Sequence, residues 1–299
     1  MQAELQLAIQ PQPSEPFWFG PPGRRAFGWY HPPHGIARMT GIALCPSLGH
    51  EMLCAHRAYR HLAERLAERG FGVVRFDYHG TGDSPGGDDD DARVAAWLGT
   101  IDDAIGVLRD AGFAKVALFG TRIGATLACA AAARRGDVEA LALVAPSLSG
   151  AAFLRELRAM QKVRERGDTR PPFRGQREGD AEAIGFVFRR ETIAALDRLD
   201  LRTLDTKPAR RALVVPRDDL PGREARVVER LRALGTEVEI SDAQGWAALA
   251  ADDPYVADVP DAIWGAVTSW LEARSSRAGV AGTRRTQAAA QTQIDERVV

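Results

Sequence analysis

The sequence predicts an α/β chain with a mostly parallel central sheet and helices on both faces. Two observations predict it. Short apolar runs alternate with longer stretches whose apolar residues recur at helical spacing. The runs are also apolar throughout, as suits strands covered on both sides. Composition permits such a core: 299 residues, a net charge of −1, 45% hydrophobic and 26% charged are ordinary for a globular chain.

The elements follow in order. Residues 1–24 read as an N-terminal extension, whose aromatic Phe17, Trp18 and Phe19 pack on the sheet edge or mediate a homodimer contact. Strands are expected at 27–31, 42–46 (IALCP) and 73–77 (VVRFD). A helix over 51–69 carries Leu62 and Leu66 at helical spacing and ends at Gly70, a residue that readily takes the left-handed C-cap conformation. A second helix spans 94–111. The strand KVALFG (115–120) runs into an Ala-rich helix at 124–135, and ALALVAP (140–146) is the next strand. Between 150 and 208 the alternation loosens around GDTRPPFRGQREGD; this reads as a helical cap insertion with helices at 154–166 and 192–199. The pattern then returns as strand 211–216, helix 223–234, strand 238–240 and helix 259–274. The core is therefore 25–149 plus 209–274, and the polar stretch 275–299 is an expected disordered tail.

Several functional classes lose support here. No run of about 18 apolar residues exists, and the N-terminus lacks the basic and apolar regions of a signal peptide. The three cysteines have no metal-ligand spacing. A cytoplasmic setting with reduced thiols, no metal and no cofactor is the expectation. Of the 39 basic residues only three are Lys, and the arginines are spread along the chain against 40 acids. No nucleic-acid face follows, and no membrane partner.

The chemistry concentrates at GTRIG (120–124), where a strand passes straight into a helix. This spacing is that of a nucleophile elbow, whose flanking glycines relieve a tight turn. LCPSLGHE (44–51) and RFDYHGTGDS (75–84) follow the two preceding strands. With these three segments the chain resembles the α/β-hydrolase fold superfamily, in its serine-aminopeptidase-like branch, over about residues 25–274. The resemblance implies an α/β-hydrolase core under a cap. It also implies that the backbone N–H groups of Leu48 and Ile123 form an oxyanion site, with Gly49 and His50 in the adjoining loop.

The chain departs from that pattern at the residues of the triad. The nucleophile position holds Arg122, which cannot accept an acyl group. All six histidines precede residue 80, so the late base is missing and Tyr255 stands in its place. Asp219, with Asp218 beside it, keeps the acid position. Arg at the elbow also resembles the exosortase-associated hydrolase 2 group, whose Glu-rich loop is similar to the segment holding Glu51 and Arg57.

Arg122 requires an anion, because the helix N-terminus repels a cation and a buried charge is costly. Glu51 is the first candidate, Asp77 and Asp83 the others, and a ligand carboxylate the remaining one. His79 and His50 are candidate bases from an unusual position, and Ser84 and Ser147 are candidate displaced nucleophiles. Cys54 and His56, two apart on a helix, point in different directions. The acidic run 88–91 reads as a solvated surface stretch. The expected function is a repurposed hydrolase that binds an acyl or carboxylate-bearing small molecule, carrier-linked chains included. The alternative is a rearranged enzyme that acts on an ester or thioester through Arg122 and Glu51.

Overall fold

The structure is a computed structural model that describes residues 13–165, 177–250 and 253–277. Its centre is an eight-stranded sheet in the order β1-β2-β4-β3-β5-β6-β9-β10. The strands are β1 (Glu15–Phe19), β2 (Ala26–His31), β3 (Thr40–Cys45), β4 (Gly72–Phe76), β5 (Lys115–Thr121), β6 (Ala140–Val144), β9 (Arg211–Val215) and β10 (Glu237–Ile240). From β4 to β10 the neighbours are parallel, while β1 and β2 add antiparallel pairs at one edge. Strands β3 and β6 are buried at every position, which is why they read as unbroken apolar runs.

Helices cover both faces. On one side α2 (Arg93–Asp110), α3 (Arg122–Arg135) and α6 (Ala225–Ala233) contribute Trp97, Ile101, Leu127 and Leu231 to a large apolar cluster. On the other, α1 (His50–Glu68) and α8 (Asp261–Ala273) supply Tyr59, Leu62, Leu66, Trp264 and Val267. The insertion carries α4 (Gly150–Glu165), a short hairpin of β7 (Ala181–Ala183) and β8 (Phe186–Phe188), and α5 (Arg190–Asp197). The cap is therefore not purely helical. Phe153 and Phe188 meet edge to face inside it and join the larger cluster.

Three expectations change. Residues 15–19 do pack on the sheet edge, but as a strand of the sheet and not as an extension outside the core: β1 pairs in register with β2, and Phe17 and Phe19 are each 2% exposed. Pro16 and the Pro/Gly-rich connection hid this strand, because neither suits a central strand, whereas both are tolerated at an edge. The acidic run is not merely solvated. Asp88 binds Arg93 at 3.0 Å, Asp89 binds Arg189 at 2.8 Å and Arg177 at 3.2 Å, and Asp90 binds His79 at 2.9 Å. It ties the loop after β4 to the insertion. The segment after 274 starts ordered, with Ser275 Oγ 2.9 Å from Thr40 Oγ1; residues 278–299 lie outside the described residues. So do 166–176, which hold most of the Gly/Pro-rich stretch. Among the described residues, no helix is long and apolar enough to cross a membrane.

Candidate functional site

The turn from β5 into α3 is built on steric necessity. Arg122 opens α3 with φ +52°, in the left-handed region that side chains rarely adopt. A Cβ on Gly120 would fall 2.7 Å from the Ala125 nitrogen, and one on Gly124 would fall 2.2 Å from the Pro46 carbonyl oxygen. Both obstacles are backbone, so neither glycine can be replaced without moving the chain. Tyr59 fastens the turn from below: its hydroxyl accepts the Thr121 N–H at 3.1 Å and donates to the Cys45 carbonyl at 3.0 Å. A non-glycine residue held at positive φ stores on the order of 1–3 kcal/mol, a strain found where geometry serves a site.

The turn presents the Arg122 guanidinium, 4% exposed, at the positive end of α3. Anions come from two directions. Glu51, in the first turn of α1, accepts from Nε at 3.1 Å, and its other oxygen takes the Ser47 hydroxyl at 2.6 Å. Glu156, from α4 of the cap, accepts from Nη2. Glu156 also accepts from Arg217 at 3.3 Å and from Arg223 at 2.6 Å, so three guanidiniums converge on one carboxylate. Arg217 is held in turn by a bidentate pair with Asp219 at 2.8 and 2.6 Å. The Trp246 ring centroid lies 5.8 Å from the guanidinium carbons of both Arg122 and Arg217, within cation–π range. Trp246 belongs to the one-turn helix α7 (Trp246–Leu249), and Asp218 holds that turn by accepting the Gly245 N–H at 2.7 Å.

These groups line a cleft of about 430 Å³, together with His50, Cys54, Met160 and Leu249. Its electrostatics follow from burial set against partners. Burial works against the charge of Arg122, but Glu51 and Glu156 outweigh it and raise its pKa. Burial likewise opposes the charge of Glu156. Arg122 first, then Arg217 and Arg223, outweigh it and hold the carboxyl below its ordinary 4.5. The hydrogen bonds from Arg217 lower Asp219. The site sets three guanidiniums against three carboxylates beside an apolar wall, an arrangement suited to recognising charge. Among the described residues no group of three or more His, Cys, Asp or Glu could hold a metal ion.

The remaining sequence candidates separate. Leu48 and Ile123 are buried, and neither side chain lines the cleft. The Ile123 N–H, at the second position of α3, has no carbonyl one helical turn earlier to bind. Gly49, at φ +62°, caps α1, and Phe186 of the hairpin lies 3.4 Å from where its Cβ would stand, so it sits under the cap and off the cleft wall. His50 faces the cleft with its Nε2 3.5 Å from Cys54 Sγ. Two expectations are corrected. His79 is bound to Asp90 and is not on the cleft, so it cannot serve there as a base. Tyr255 is 95% exposed on a turn and does not enter the cleft. Arg57 reaches the Ala257 carbonyl and Asp258. Ser84 is structural: it donates to the Asp77 carbonyl and accepts the Phe27 N–H, each at 2.8 Å. Sequence reasoning missed Glu156, Arg217, Arg223 and Trp246. The signal available was the Arg-Asp-Asp triplet at 217–219, which places a cation beside the acid position.

Comparisons with known proteins agree with this architecture. Residues 49–179 match the serine aminopeptidase (S33) family. Among solved structures, Est1E from Butyrivibrio proteoclasticus with bound ferulic acid is similar at a TM-score of 0.60 and 15% identity, covering 85% of this chain and 97% of that one. A thermostable carboxyl esterase from Bacillus coagulans, in complex with glycerol, gives 0.56 at 13% identity over 88% and 99% of the chains. An α/β serine hydrolase without lid from Xanthomonas campestris gives 0.54 at 16% identity over 89% and 96%. No curated protein sequence matches the chain. The chain has the α/β-hydrolase fold, and Arg122 stands at the turn from β5 into α3.

Proposed function

We propose that this protein is a repurposed α/β-hydrolase whose cleft binds a carboxylate-bearing or acyl small molecule within a biosynthetic pathway, in a cytosolic setting, without Ser–His–Asp chemistry. One observation carries the reading: Arg122, Arg217 and Arg223 clasp a single carboxylate, that of Glu156. Guanidiniums recognise carboxylates by paired hydrogen bonds and do not act as acyl acceptors. Glu156 comes from the cap, so its carboxylate stands where a ligand carboxylate would stand. Met160, Leu220 and Leu249 on the cleft wall suit a short apolar chain behind that charge.

The test is thermal melting with hexanoate and octanoate against the corresponding amides and alcohols. A ligand present at a hundred times its dissociation constant stabilises by about 2.7 kcal/mol, several degrees for a domain of this size. The expected result is a rise with the carboxylates alone, larger in Glu156→Gln, where the internal competitor is neutral. Equal shifts with amides, or no shift with any of them, would overturn the reading.

A further inference from the structure

We propose that Cys54 and His50 form a reactive thiol–imidazole pair in this cleft that accepts an acyl group from an activated ester or thioester. The proposal rests on the preceding reading that acyl compounds enter the cleft, and it adds a covalent step at a residue away from the elbow. His50 and Cys54 are one turn apart on α1, on the face that also carries Glu51, and all three line the cleft. The Sγ–Nε2 separation is 3.5 Å, within reach for proton transfer between the two.

The other two cysteines supply an internal contrast. Cys45 and Cys129 are fully buried within the larger apolar cluster. Burial pushes the Cys129 thiol up to about 12 and the Cys45 thiol higher still. Their placement suits small apolar side chains. Cys54 belongs to neither apolar cluster, although it is only 4% exposed. It is buried against the cleft and its histidine.

The step balances without a co-reactant. The thiol proton passes to His50, and a bond forms between Sγ and the acyl carbonyl carbon. The bond from that carbon to the alcohol oxygen or thiol sulfur breaks, and the leaving group takes the proton from His50. The products are S-acyl-Cys54 and a free alcohol or thiol, with nothing oxidised or reduced. Arg122 supplies positive charge on the same cleft wall.

The experiment treats the full chain with p-nitrophenyl acetate and reads intact mass, peptide mapping and p-nitrophenol release. A single acetyl group on Cys54 is expected, absent in Cys54→Ala. Acylation should slow about a hundredfold in His50→Asn, and its pH profile should rise towards that of an unassisted thiol. An acetyl group found only on other residues, or a rate and profile unchanged in His50→Asn, overturns the proposal. Should His50→Asn fail to fold, iodoacetamide on the native wild type decides at neutral pH. Labelling of Cys54 alone supports the pair, and equal labelling of all three cysteines or none overturns it. The melting experiment on wild type keeps the two readings apart. A carboxylate-specific shift with no adduct defeats the covalent step alone, whereas an adduct without a shift defeats the carboxylate reading alone.

Discussion

Arg122 is where the chemistry of one residue sets the terms for everything around it. A guanidinium at a helix N-terminus, on a strained turn and away from water, is unfavourable on three counts. Glu51 at 3.1 Å and Glu156 from the cap offset them. The arrangement makes each carboxylate dependent on the cation. Arg122→Ala should therefore destabilise the fold by about 3–5 kcal/mol, the range seen when one partner of a buried pair is removed. Urea unfolding measures it, and Arg122→Ala combined with Glu51→Gln should recover part of the loss, because one orphaned charge is gone. An unchanged midpoint for the single variant would mean that the cluster is solvated enough to need no cation. The need for an anion is legible from Arg122 alone. That Glu156 meets it is not, because 34 positions, holding the rest of α3 and strand β6, separate the two in sequence.

Among elements, α4 depends most on charge. It packs on α5 and on the hairpin, and it reaches the elbow through Glu156, which bonds Arg122, Arg217 and Arg223. Since the folded pKa of Glu156 lies below its ordinary 4.5, its contribution is fully present above that value. It is lost as pH falls through the depressed folded pKa. Lowering the pH below 4.5 should loosen α4 before the central sheet. Hydrogen–deuterium exchange should show α4 amides exposed first, and Glu156→Gln should abolish that pH dependence. Simultaneous exchange of α4 and β5 would show that the ion cluster does not hold the cap. The same element marks the limit of sequence reading. Helix α4 is amphipathic and legible as a helix, whereas the side chain it sends to the cleft, Glu156, is not. The parallel strands read clearly because burial on both faces leaves an unbroken apolar run. The three-residue strands β7 and β8 and the one-turn helix α7 are too short to show a period. Trp246 therefore emerged only from the fold.

The whole molecule is an open sheet with two edges, and each edge is managed differently. Strand β10 alternates Glu237 and Glu239 with Val238 and Ile240, and Glu239 accepts the Trp270 indole N–H at 3.0 Å, so charge guards that side. The opposite edge is covered by β1, which carries no such guard on its inner face. Phe17 and Phe19 stack at 5.3 Å, Phe19 meets Phe76 edge to face at 6.0 Å, and Trp18 meets Phe27 at 5.2 Å. Arg24 closes the hairpin by binding Asp103 and the Ala96 carbonyl of α2 at 2.9 and 3.1 Å. Deleting residues 1–24, the stretch read from sequence as an N-terminal extension, would thus strip two buried aromatics and open β2 as an unguarded edge. Burial of a large aromatic side chain contributes roughly 1.5–3 kcal/mol, so two such losses remove about 3–6 kcal/mol, a large share of the 5–15 kcal/mol typical of a domain. The truncated chain should melt roughly 6–24 °C lower and form higher-order species on size exclusion through its bare β2 edge. The cleft is lined by residues at and after the ends of β3, β5 and β9, none of them from β1, so it owes nothing to β1 except a sheet that stays folded. A truncation at 24 that melts and elutes like the full chain would show that the antiparallel edge is dispensable. The parallel strands and their two apolar clusters would then suffice to hold the elbow.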